Sequence, residues 1–86
     1  MKLLEDLKIK HLSALVSQQV GKSVSIVGLV IDPEIYFSTN DKEERIEDSD
    51  FQCCTVTYSA WGENFGTETE TQDFTWLCEQ EELIAE

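Results

Sequence analysis

Eighty-six residues suffice for one domain with a modest core, so residues 1–86 are read as a single domain. An apolar fraction of 41% is too high for a wholly disordered chain, and no apolar run approaches the length that spans a bilayer. A net charge of −12 repels nucleic acid and anionic membranes and attracts cationic surfaces.

The charge is unevenly placed. Residues 1–31 carry four lysines against Glu5 and Asp6, leaving +2, whereas residues 32–86 carry sixteen acids against Lys42 and Arg45, leaving −14. Acidity of this kind also serves solubility alone. Three cysteines, two of them adjacent, and the lack of an opening apolar signal region lead to the expectation of a reduced, cytoplasmic setting.

Residues 2–20 predict a helix. Leu3, Leu4, Leu7, His11, Ala14 and Leu15 fall on one side at helical spacing, and Ile9 and Val16 widen that side. Gly21 stands where a left-handed residue ends a helix. Residues 23–31 predict a strand that alternates at first and then turns apolar on both faces, as for a position near a sheet centre. Gly28 suggests a bulge or a close approach, and Asp32-Pro33 bends the chain before a short extended piece at Ile35-Tyr36-Phe37. Residues 39–50 predict a solvated loop with one helical turn around Ile46.

The rest is organised around residues 51–76, read as a β-hairpin. Its first arm, 52–61, is rich in β-branched and aromatic residues, and Gly62 and Gly66 suit a turn. Its second arm opens with alternating threonine and glutamate. Residues 74–84 predict a last helix, with Phe74, Leu77, Cys78, Ile84 and Ala85 facing inward. The glutamates at its C-terminal end oppose the helix dipole, so 74–77 prolonging the hairpin is the alternative. The fold expected is α+β: an N-terminal helix packed on a three- or four-stranded antiparallel sheet, followed by an acidic C-terminal helix or tail.

Signals for chemistry are weak. Gly21-Lys22-Ser23 lacks the upstream glycine and the strand-to-helix context of a phosphate-binding loop. Cys53 and Cys54 point to opposite faces of a strand, so with Cys78 and His11 they make a poor zinc set. Asp48-Ser49-Asp50 lacks the later residues of a calcium loop. No nucleophile motif appears, and the expectation is a protein that is not an enzyme and needs no cofactor or metal.

The acidic rows remain. In a strand, residues i and i+2 share a face about 6.6 Å apart, so Glu68 and Glu70 project together, with Glu63 and Asp73 near the ends of the same arm. Glu43, Glu44, Glu47, Asp48 and Asp50 extend the field from the preceding loop, and Trp61 and Phe65 offer apolar anchors near the turn. Duplex DNA carries roughly one charge per 1.7 Å of axis. In size, charge and layout the chain is similar to acidic nucleic-acid mimics, an analogy of physics without a shared motif. It implies a small binding or inhibitor protein that occupies a basic, nucleic-acid-binding surface of a partner protein. The alternative is a structural or interaction subunit, homo-oligomeric or not, assembling through the apolar N-terminal helix or a sheet edge.

Overall fold

The computed structural model describes the backbone of residues 1–61 and 67–86; the side chains of 61–68 are outside that description. Gly62, Glu63, Phe65 and Gly66, expected at the hairpin turn, therefore lie outside the described residues. The fold is α+β. One helix packs against a four-stranded antiparallel sheet whose strands follow one another in chain order. Among the described residues, no helix is long and apolar enough to cross a membrane.

The chain opens with a 3-10 turn, Leu4–Asp6. Leu7 and Lys8 are then extended, with ψ of 139° and 144°, before α1 (Ile9–Val20) begins. This break corrects the inward face expected for an unbroken helix over 2–20. Each helical residue advances about 100°, so two extended residues reset the phase. Leu12 and Val16 are buried, Leu15 and Val20 pack beside them, and His11, Ala14 and Ile9 are exposed. Gly21 ends α1 in the left-handed conformation at φ 76°, its N–H donating to the Ser17 carbonyl.

Strand β1 (Val24–Ile31) pairs with β2 (Phe51–Trp61). It is an edge strand, not the central one its apolar second half suggested. Val27 and Val30 remain 59% and 71% exposed, because none of the described elements covers that side of the sheet. The register shifts between Ile26 and Gly28, and a Cβ on Gly28 would touch that of Thr57 at 3.4 Å. Both readings of Gly28 thus hold: a bulge, and a close approach of the neighbouring strand.

Strand β2 pairs with β3 (Thr67–Leu77) without a slip, from Phe51↔Leu77 to Trp61↔Thr67. Alternation then sorts the side chains. Cys54, Val56, Tyr58 and Ala60 face inward with Phe74 and Trp76, while Thr55, Thr57, Thr71, Asp73 and Thr75 form an open outer face. The acidic C-terminal helix is not formed. Phe74 to Leu77 complete β3, and β4 (Glu82–Ala85) pairs back onto them. Period two buries Phe74, Trp76, Cys78 and Leu83. A helix would have set four glutamates against its own dipole. The helical turn expected around Ile46 is also absent, since the Ile46 N–H donates to the Ser38 carbonyl across the loop at 2.8 Å.

The N-terminal segment is clamped to the hairpin through polar groups. Gln52 is fully buried; its Oε1 accepts the Leu4 N–H at 2.7 Å and its Nε2 donates to the Glu5 carboxylate at 3.1 Å. The Trp76 indole donates to the Lys2 carbonyl at 2.8 Å, and the Lys2 N–H to that of Cys78 at 3.1 Å. Gln52→Leu keeps the volume but strands the buried Leu4 N–H, so it should cost about 1–3 kcal/mol. Urea unfolding of the variant should show a lower midpoint at an unchanged slope.

Candidate functional site

The segment joining β1 to β2, residues 32–50, is long for a connection yet densely bonded. Asp32 opens it. Its carboxylate accepts the Glu34 N–H at 3.0 Å and the Tyr36 hydroxyl at 2.7 Å. Tyr36 exchanges two main-chain bonds with Phe51, both 2.9 Å, and the two rings stack with centroids 5.6 Å apart. Beyond it, the Asn40 side-chain oxygen accepts the N–H groups of Lys42 and Glu44, and the Ser49 hydroxyl donates to the Ile46 carbonyl. Glu43 and Asp48 both sit at φ 59°, a left-handed conformation that costs a non-glycine residue roughly 1–2 kcal/mol.

Arg45 is exposed along most of its side chain but tethered at its tip. Its guanidinium pairs with Asp50 and lies 5.6 Å from the centroid of the Phe37 ring. Asp50 is only 5% exposed, which corrects its expected role in an exposed acidic row: it neutralises Arg45 instead of facing a partner. Glu43, Glu44, Glu47 and Asp48, with Asp41, face solvent. Phe37, Ile35 and Ile46 are exposed on the same segment.

A second acidic segment joins this loop. The Gln80 amide donates to the Asp48 carbonyl at 3.0 Å, and the Cys78 N–H to the Asp50 carbonyl at 3.0 Å. The β3–β4 connection therefore brings Glu79, Glu81 and Glu82 to the loop's end of the sheet. Lys2 lies 4.0 Å from Glu81, an exposed pair that contributes little.

The hairpin acids are elsewhere and are split between faces. Register places Glu70 opposite Tyr58, on the α1 side, while Asp73 opposes Thr55 on the open side. Glu70 lies seven residues from Leu77 along β3, about 24 Å at strand spacing. Its carboxylate accepts the buried Tyr58 hydroxyl at 2.9 Å. Burial, and then this bond, raises the Tyr58 pKa. The side chains of Trp61 and Glu68, like Glu63 and Phe65, are outside the described residues.

The open face holds a group that sequence reasoning missed. A shallow depression of about 260 Å³ is lined by Val30, Asp32, Cys53, Thr55, Asp73 and Glu86. Thr55 donates to Asp73 and Thr75 to Glu86, each at 2.7 Å. Asp32 and Glu86 come from the two ends of the sheet's chain path, and only the full strand order brings them together. The Glu34 N–H, and then the Tyr36 hydroxyl, lower the Asp32 pKa. Partial burial, and then Glu86, Asp32 and Asp73, raise that of Cys53, so the thiol is held in its less nucleophilic form. Among the described residues, no three His, Cys, Asp or Glu side chains are placed to hold a metal ion. His11 stands exposed on α1.

Comparison with family models, with curated proteins and with solved structures finds no match to this chain.

Two titrations check this geometry. Neither tyrosine should ionise at the ordinary 10.0; absorbance should place Tyr36 near 12, held up chiefly by its bond to Asp32, and Asp32→Asn should lower it. Burial also pushes Cys54 up from 9.0 to about 11. Between those values the unfolded chain has released a proton that the native chain keeps. Stability from this group is therefore intact below pH 9 and lost as pH rises through 11. The urea midpoint should fall from about pH 8 to about pH 10.5, and fall less in Cys54→Ala.

Proposed function

We propose that this chain is a small acidic binding or inhibitor protein that occupies a basic, nucleic-acid-binding surface of a partner protein, mimicking nucleic acid through its carboxylates. The observation that carries the reading is how the acids are held. Asp32, Glu70, Asp73 and Glu86 are fixed by hydroxyls, which donate a hydrogen bond without cancelling the charge. The loop backbone is fixed by Asn40 and Ser49, and Arg45 is taken up by Asp50. Those four carboxylates are thus held in place without an ion-pair partner among the described residues, the condition for imitating a phosphate array; Glu79 and Glu81 are loosely paired with the N-terminal ammonium and Lys2.

The principal contact in this reading is the loop carrying Glu43, Glu44, Glu47 and Asp48, extended by Glu79 and Glu81, with Phe37 and Ile46 as apolar anchors. Glu70 on the α1 side and Asp73 on the open side are secondary contacts, on opposite faces of the hairpin. The protein acts by occupancy and not by catalysis, and it binds neither nucleic acid nor membrane directly. Three unpaired thiols support a reduced, cytoplasmic setting.

The second reading is assembly through a surface that charge does not dominate. The helix is a poor candidate for that surface, because Leu12 and Val16 are buried within the fold. The β1 edge is the better one, with Val27 and Val30 exposed.

An untargeted pull-down at low salt, eluted with a salt gradient, tests the first reading. A captured partner should lose affinity steeply with salt. Glu43→Lys with Glu47→Lys should slow association at least about tenfold while changing dissociation little, and Glu68→Lys with Glu70→Lys should act the same way to a smaller extent. An affinity flat from low to high ionic strength defeats the mimicry reading.

A further inference from the structure

Strand β1 ends the sheet, and its main chain shows which groups are open. The Val24 N–H donates to the Ser17 hydroxyl and the Val24 carbonyl accepts that of Ser13, both at 3.1 Å. Both groups of Val24 thus turn away from β2, towards α1. Antiparallel pairing alternates inward and outward residues, so Ile26 shares this phase. Past the bulge, the Asp32 N–H bonds back to the Cys53 carbonyl at 2.9 Å, which makes Ile31 and Leu29 outward again. The serines of α1 occupy only the first outward position. The N–H and C=O groups of Ile26, Leu29 and Ile31 have no partner among the described residues.

Exposed edges are ordinarily protected by charge, proline or brevity. This one runs eight residues, VSIVGLVI, with no charged side chain and two exposed valines; its bulge is the one protective device. The charge lies just past its C-terminal end and on the adjoining open face, where Asp32, Glu34, Asp73 and Glu86 stand without a lysine or arginine among them. A second copy would set −12 against −12. We propose that β1 accepts an extended, cationic segment of the partner protein as a fifth strand. Main-chain bonds to Ile26, Leu29 and Ile31 would give affinity. Lysine or arginine side chains beside Asp32, and apolar ones on Val27 and Val30, would give selectivity. The inference rests on the acidic-binding reading and names the partner's contacting element.

The probe is an alternating Lys-Val octapeptide with blocked ends, compared with polylysine and a Glu-Val octapeptide, at low salt. The Lys-Val peptide should bind and the Glu-Val peptide should not. Amide hydrogen exchange at Ile26, Leu29 and Ile31 should slow at least about tenfold on saturation. Val30→Lys, at a 71% exposed position, should weaken the peptide more than Ile84→Lys, the same charge change on the opposite edge. Binding without protection of these amides, or binding by polylysine alone, overturns edge docking and leaves the acidic reading standing. Failure of both cationic probes overturns the two together. Protection of the same amides in the free protein, rising with its concentration, assigns the edge to a second copy and also overturns the proposal.

Discussion

The unbroken ladder between β2 and β3 decides where the described hairpin side chains point. With Phe51 opposite Leu77 and each later pair in step, one parity holds Cys54, Val56, Phe74 and Trp76, and the other holds Thr55, Thr57, Thr71 and Thr75. A slip of one residue would put threonines into the core and a tryptophan into water, so burial itself enforces the register. The same parity divides the acids. Glu70 and Asp73 are three apart, an odd number, and therefore sit on opposite faces however the sheet is viewed.

The ladder also sets what the N-terminal segment must supply. Inward parity places Gln52, a polar residue, under full burial at the end where α1 does not yet run. Its amide needs partners there, and the Leu4 N–H and Glu5 carboxylate provide them. That bonding draws residues 2–5 against β2 and β3. It explains why the chain makes a short 3-10 turn and an extended step before α1 in place of one continuous helix. No buried side-chain polar atom among the described residues lacks a partner, so the cost of these interior amides is met locally.

Sequence was informative where one force acted alone. Gly21, the alternation of β2 and the class of the fold all follow from local geometry or from burial on one face. It misled where tertiary contact chose between two periods. Phe74, Leu77 and Cys78 fit a helix and Phe74, Trp76 and Cys78 fit a strand, and only pairing with β4 decides. The apolar run of β1 reads as central because exposed valines are costly, yet the strand is an edge. The acids of the loop were visible as composition, but the burial of Asp50 against an exposed Arg45 was not. The trio Asp32, Asp73 and Glu86 was hidden by its wide separation in the chain.

What unites Asp32, Glu70, Asp73 and Glu86 is the choice of donor. A lysine beside each carboxylate would hold it in place and remove its charge at any distance beyond the pair. A hydroxyl holds it equally well and leaves the full charge in the field. Thr55, Thr75, Tyr36 and Tyr58 all play this part; the bond to Asp32 is the chief cause of the raised Tyr36 pKa, while for Tyr58 burial comes first and the bond to Glu70 second. Fixing charge without compensating it strains the folded chain by self-repulsion. That arrangement works against solubility's simplest solution, which is mobile charge on loose side chains. It suits a surface whose countercharge is brought by another molecule, and the uncharged β1 edge beside it offers that molecule a place to bond.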